Sequence, residues 1–138
     1  MPSATILVID DDPLMRAIAG EILMGAGYSV LEAEDGAAGM ATLEVAPVDL
    51  IITDMLMPEM DGVESIMTIR AKRPAVPVIA ISAGARHQPA GDLLRLASAL
   101  GANATLSKPV RQGELLALVG QLLDQARLDV RPDLRSAG

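Results

Sequence analysis

The stretch Ile6–Arg16, ILVIDDDPLMR, carries four apolar residues straight into three aspartates. Ile6–Ile9 is short, branched and uninterrupted, the pattern of a strand buried on both faces. Pro13 suits the first position of a helix, and Asp12 before it suits the N-cap. The strand therefore gives way at once to a helix. Asp10 and Asp11 are left at its carboxyl end, in the kind of junction where loops carry function.

The same alternation recurs five times along the 138 residues. Strands are expected at Thr5–Ile9, Ser29–Ala33, Leu50–Thr53, Val76–Ile81 and Ala104–Leu106. Between them lie helical patterns. Leu14, Ile18 and Ile22 mark the first, closed by Gly25 and Gly27. Asp35 caps a second, which carries Met40 and Leu43. Val63, Ile66 and Met67 mark a third, stopped by Pro74. Leu93, Ala97 and Leu100 mark a fourth, with Gly101 as its C-terminal cap. Leu115, Leu116, Val119, Leu122 and Leu123 mark a fifth. Strand–helix repeated five times implies an α/β fold with a parallel sheet covered on both faces. The expected architecture is a flavodoxin-like, doubly wound, five-stranded sheet of order 2-1-3-4-5 with five helices. Ligands in such sheets sit at the carboxyl ends of the strands, where the strand order reverses. Here that is the ends of strands one and three.

Composition narrows the function. A net charge of −7 and scattered Lys and Arg argue against a nucleic-acid surface. With no Cys, neither a disulfide framework nor a thiolate metal site is possible. No signal peptide is evident at Met1-Pro2-Ser3, and no apolar run suggests a membrane span. A soluble cytoplasmic domain is expected, with an aliphatic core: Phe and Trp are absent and Tyr28 is the one aromatic residue.

Chemistry gathers at one edge of the expected sheet. Strand one ends in Asp10-Asp11-Asp12, strand three in Asp54, strand four in Ser82, and strand five leads to Lys108 before Pro109. Asp12 is read as a helix cap only. Carboxylates crowded within a few ångströms repel, and partial burial makes this worse. A hard divalent cation with oxygen ligands offsets it, and Mg²⁺ suits a site of one or two carboxylates plus a phosphate oxygen. Acids, Mg²⁺, a hydroxyl and an ammonium together suit a phosphoryl group.

The elements LVIDDDP, IITDMLMPEMDG, AISAG and GANATLSKP, in this order and spacing, resemble the receiver domain of two-component response regulators, over roughly residues 4–126. The resemblance implies that Asp54 is the phosphoacceptor, served by a sensor histidine kinase or a histidine phosphotransfer protein. It implies Mg²⁺ held by Asp11, Asp54 and the backbone carbonyl of Leu56, with Asp10 acting through water. Ser82 and Lys108 would bind phosphoryl oxygens, the Lys108–Pro109 bond would be cis, and Pro58 and Gly62 would shape the loop after Asp54. Ser82 would also relay the change, as part of a two-state surface around the fourth helix, fifth strand and fifth helix. The domain would be a signalling switch rather than an enzyme, working only on its own phosphoryl group. Residues 127–138 would be a short tail with no output domain. The downstream target would then be another protein, with no nucleic-acid or membrane partner.

Departures from the family pattern are local. Thr105 stands at the switch position where an aromatic residue is usual, and Val110 where Phe often follows Lys-Pro. The segment from Ser82 to Gly101 is about four residues longer than usual and contains Arg86, His87 and Pro89. His87 reads as a solvated loop residue, and Leu56 and Gly84 as neighbours of the site that influence water access. Two other readings compete. Asp10-x-Asp12 resembles the nucleophile motif of Mg²⁺-dependent haloacid-dehalogenase-type phosphatases, with Lys108 as their lysine. A pseudo-receiver would use the fold as a binding module without phosphorylation.

Overall fold

Apolar residues alternate sides along the strands, and this alternation builds the two halves of the core. The computed structural model describes residues 4–55, 62–82, 95 and 97–129, with the backbone alone for residues 62, 63, 128 and 129. The strands are β1 (Thr5–Ile9), β2 (Ser29–Ala33), β3 (Leu50–Asp54), β4 (Val78–Ser82) and β5 (Ala104–Ser107). The helices are α1 (Pro13–Gly25), α2 (Gly36–Val45), α3 (Gly62–Lys72), α4 (described at residues 95 and 97–100) and α5 (Gln112–Asp129). All strand pairs are parallel and the order is β2-β1-β3-β4-β5, as expected.

Leu7, Ile9, Ile51, Val78 and Ala80 face one layer, where they meet Met40 and Leu43 of α2, Ile66 and Ile69 of α3, and Ala97 of α4. Ile6, Val8, Leu50, Ile52, Ile79 and Ile81 face the other, against Ala19 and Leu23 of α1 and Leu115 and Val119 of α5. Strands buried on both faces are the reason their sequences read as continuous apolar runs.

Two helices turn differently from their expected stripes. Leu14 and Ile18 of α1 are 66% and 39% exposed, and Ala19, Gly20 and Leu23 form the buried face instead. Small residues at 19 and 20 allow the helix to lie close to β2, Leu14 and Ile18 point away, and Ile22 of the expected stripe still packs against the core. In α3, Met67 is exposed while Ile66 and Ile69 are fully buried. Strand β4 starts at Val78 rather than Val76: the Val76 amide turns back to the Arg73 carbonyl, and Pro77 has no amide to give. β3 and β5 each run one residue further than expected, to Asp54 and Ser107.

The caps follow the sequence. Asp12 Oδ1 accepts from the Leu14 amide at 2.9 Å, and Asp35 Oδ1 from the Ala38 amide at 2.8 Å. Gly101 closes α4 at φ +117°, a conformation that favours glycine. Its carbonyl accepts from Arg70 Nε at 2.9 Å, and Arg70 Nη1 also donates to the Val76 carbonyl at 2.6 Å. Arg70 thus ties the end of α3 to the start of β4 and the end of α4. Leu93 lies outside the described residues.

Gly39 sets how closely α2 approaches β1. A Cβ there would lie 2.6 Å from Ile9 Cδ1 and 3.0 Å from Cγ1, and Ile9 is fully buried. We expect Gly39→Ala to lose about 1–2 kcal/mol in urea unfolding, strain outweighing the ~1 kcal/mol gain in helix propensity. Adding Ile9→Val should make the combined loss smaller than the sum of the two single losses. Unchanged or raised stability in Gly39→Ala would show that the approach is not tight.

Candidate functional site

Register brings the polar strand ends together. Ile9 pairs with Thr53 across β1 and β3, so Asp10 and Asp54 are the next residues on neighbouring strands. Asp54 pairs with Ile81, and Ser82 pairs with Ser107, the residue before Lys108. Asp10, Asp54 and Ser82 are buried, whereas Asp11 is exposed. Carboxylate oxygens of Asp10, Asp11 and Asp54 all lie within 4.8 Å of one another. Among the described residues this is the one group of acidic or imidazole side chains close enough to share a metal ion.

Lys108 answers the charge. Its Nζ donates to Asp54 Oδ2 at 3.0 Å and stands 3.4 Å from Asp10 Oδ2. Burial alone would lower the Lys108 pKa. The hydrogen bond and charge of Asp54, with those of Asp10, outweigh it and hold the pKa above its usual value. Asp10 is pushed the other way. Burial disfavours its anion most, and the Asp54 charge adds to this. The Asp12 amide and Lys108 oppose it, and the net pKa lies above the usual carboxylate value. One ammonium therefore leaves the carboxylates undercompensated.

The backbone fixes the turn that carries the acids. The Asp10 amide donates to the Ala33 carbonyl at 3.1 Å, and the Asp12 amide donates to Asp10 Oδ1 at 2.9 Å. Below the carboxylates is a cavity of ≈ 10 Å³, enough for about one water. Val8, Ile52, Met15 and Val110 give it an apolar floor. Strand five joins through the Lys108 amide, which donates to the Ser82 carbonyl at 3.1 Å, and through a cis Lys108–Pro109 bond.

Of the residues singled out in the sequence, Asp10, Asp11, Asp54 and Lys108 converge. Asp12 is spent on the α1 cap. Ser82 is fully buried one register step from Asp54's partner, in the row of Val78 and Ala80. Thr105 is half-buried on β5 and lines an open groove with Ser107, Arg111 and Glu114. Leu56, Pro58, Gly84, Arg86, His87 and Pro89 lie outside the described residues, and of Gly62 only its place at the start of α3 is described. Sequence reasoning missed Met15 and Arg16. Their signal was proximity: both sit on the first turn after the acidic run, which must pack against its own strand end.

A family model described as "Response regulator receiver domain" matches residues 6–120. The chain is 37% identical over 123 residues to transcriptional regulatory protein GlrR of Escherichia coli (strain K12), covering 89% of this chain and 27% of that one. It is 38% identical over 118 residues to an uncharacterized 14.6 kDa protein in the sodA1 3′ region of Leptolyngbya boryana, covering 84% and 87%. A receiver domain protein (CheY-like) from Methanospirillum hungatei superposes with a TM-score of 0.83 at 27% identity, over 92% of this chain and 98% of that one. A response regulator receiver domain protein from Clostridium thermocellum gives 0.82 at 30% identity, over 91% and 98%. The chain spans about a quarter of the length of the GlrR and NtrC regulators it matches.

The raised Asp10 pKa has a sign. An acid whose pKa rises on folding favours the folded state below its unfolded value, here the ordinary 3.8, and that stability is lost as pH climbs through the raised value. In metal-free buffer at neutral pH, Asp10→Asn should therefore raise Tm by a few degrees. The difference from the wild type should shrink as pH falls below about 4. A lower Tm for the variant at pH 7 would contradict the crowded-charge account.

Proposed function

The chain belongs to the response regulator receiver domain family, and from that premise we propose that it is a switch that accepts a phosphoryl group on Asp54. The donor in this reading is a phosphohistidine on a sensor histidine kinase or a histidine phosphotransfer protein. The observation that carries it is the convergence of three carboxylates within 4.8 Å, with Lys108 Nζ 3.0 Å from Asp54 Oδ2.

The donor set suits Mg²⁺: it is all oxygen, anionic in excess of its one ammonium, and open at Asp11. Asp11 and Asp54 would hold the ion directly and Asp10 through water. The carbonyl of Leu56, outside the described residues, would complete the protein's share. When bound, Mg²⁺ supplies charge neutralisation at the phosphoryl oxygens. The chain's own groups do the rest. The Asp54 carboxylate attacks phosphorus in line, the P–N bond to the donor imidazole breaks, and an acyl phosphate remains on Asp54. Lys108, already at Asp54 Oδ2, stays within reach of the arriving phosphoryl oxygens and offsets their charge. Ser82 is the proposed hydroxyl partner of the bound group, and Ser82 and Thr105 the proposed relay to β5. Residues 4–126 would form the working unit, acting in the cytoplasm on a protein target. Among the described residues no helix is long and apolar enough to cross a membrane. No turnover of outside substrates is proposed.

A haloacid-dehalogenase-type phosphatase would need Asp12 free as its acid, but Asp12 Oδ1 is engaged with the Leu14 amide. A pseudo-receiver is not favoured, because Asp10, Asp11, Asp54 and Lys108 are all present and converge.

Incubation with Mg²⁺ and acetyl phosphate should add about 80 Da, the mass of one phosphoryl group, and Asp54→Asn should abolish the gain. Adding a chelator should prevent it. No mass gain in the wild type, or a gain that survives Asp54→Asn, would overturn the assignment.

A further inference from the structure

Arg16 lies on the first turn of α1 and reaches back to the acidic turn. Its Nη1 donates to the backbone carbonyl of Asp10 at 2.6 Å. Its Nε donates to Glu32 Oε1 at 3.3 Å, and the Arg16 side chain is only 17% exposed. Glu32 stands on β2, in register with Val8 two residues before Asp10. The guanidinium is thus held at one end by the sheet and grips the chain at the other.

What it grips is the peptide group between Asp10 and Asp11. That group is planar, so holding its oxygen fixes the Asp11 amide and Cα, the base from which the Asp11 side chain starts. Among the described residues no hydrogen bond holds the Asp11 carboxylate itself, so its aim depends on the backbone. Asp10 differs: its Oδ1 is tied to the Asp12 amide and its Oδ2 lies near Lys108.

We propose that Arg16, oriented by Glu32, is a positioning residue that locks the Asp10–Asp11 peptide and aims Asp11 at the point where the three carboxylates converge. This rests on the reading of that point as a Mg²⁺ site. It makes a prediction opposite in sign to simple charge. A cation beside a cation site weakens metal binding, so deleting Arg16 for its charge alone would tighten Mg²⁺. Deleting it as a positioner weakens Mg²⁺, as losing a partner behind a metal ligand does.

The test is calorimetric Mg²⁺ titration of the full chain as wild type, Arg16→Ala, Arg16→Lys and Glu32→Gln, each at a temperature where it is folded. Arg16→Ala should raise the Mg²⁺ Kd about tenfold. Its phosphorylation rate should return toward the wild-type maximum when Mg²⁺ is raised to match. The ¹⁵N resonance of Asp11 should move in the metal-free variant, because the carbonyl of its own peptide loses a hydrogen bond. Arg16→Lys should recover part of the affinity, and Glu32→Gln should lose part. Arg16→Ala that binds Mg²⁺ as tightly as the wild type, or more tightly, overturns the proposal even if its Tm falls. Should Arg16→Ala not fold, Arg16→Lys and Glu32→Gln decide it: wild-type affinity in both overturns it. A wild type that binds no Mg²⁺ defeats the metal reading itself, a result distinct from these.

Discussion

The structure turns on two carboxylates that neighbouring strands force together. Parallel pairing of β1 with β3 sets Ile9 opposite Thr53, and the next residue on each strand is an acid. At an effective dielectric constant near 20, two charges 4 Å apart interact by about 4 kcal/mol, a large fraction of a domain's stability. Lys108 offsets part of this by bridging the pair, yet Asp10 still resists ionisation. A chain selected for stability alone could have placed an amide at either position. On the proposed reading the cost persists because the site meets positive charge from outside.

The sheet places this charge by simple alternation. Val8 and Ile52 face α1 and α5, so Asp10 and Asp54, two residues further on, continue the same rows. Leu106 faces that side too, and Lys108 continues its row. The three charged groups therefore come from three strands, all on one side of the sheet. Ser82 continues the row of Val78 and Ala80 on the other side. The buried strands β1 and β3 hold the two acids more firmly than loops could.

Strands, strand order and caps were legible in the sequence because each is a local rule. Buried parallel strands announce themselves as apolar runs, and Asp35 three residues before Ala38 is a cap by spacing alone. Helix faces were less legible. In α1 nearly every position is apolar or small, so periodicity could not separate Leu14–Ile18–Ile22 from Ala19–Leu23. Close packing on β2 chose the face with the small residues. The acids and the lysine of the site were readable because four strand ends meet at one edge. Arg16 was not, since its role depends on a backbone oxygen, and carbonyls carry no sequence signature. Arg70 escaped for the same reason: its acceptors include the carbonyls of Gly101, Val76 and Pro74.

An aliphatic chain also constrains how any change at Asp54 can travel. With Thr105 on β5 there is no ring to swing between buried and exposed positions, and the groove beside it is already open. What joins the site to β5 is backbone. The Lys108 amide bonds the Ser82 carbonyl, and the Lys108 ammonium bonds Asp54. In the proposed reaction the phosphoryl group at Asp54 would compete for that ammonium, and a displaced Lys108 would pull on a residue whose amide also ties the end of β5 to β4. On the proposed reading, the backbone at the end of β5 therefore acts alongside the Ser82 and Thr105 relay. The Ser82 carbonyl at the end of β4 and the Lys108 amide just past β5 are joined by that hydrogen bond, so the proposed relay and the strand end share one contact.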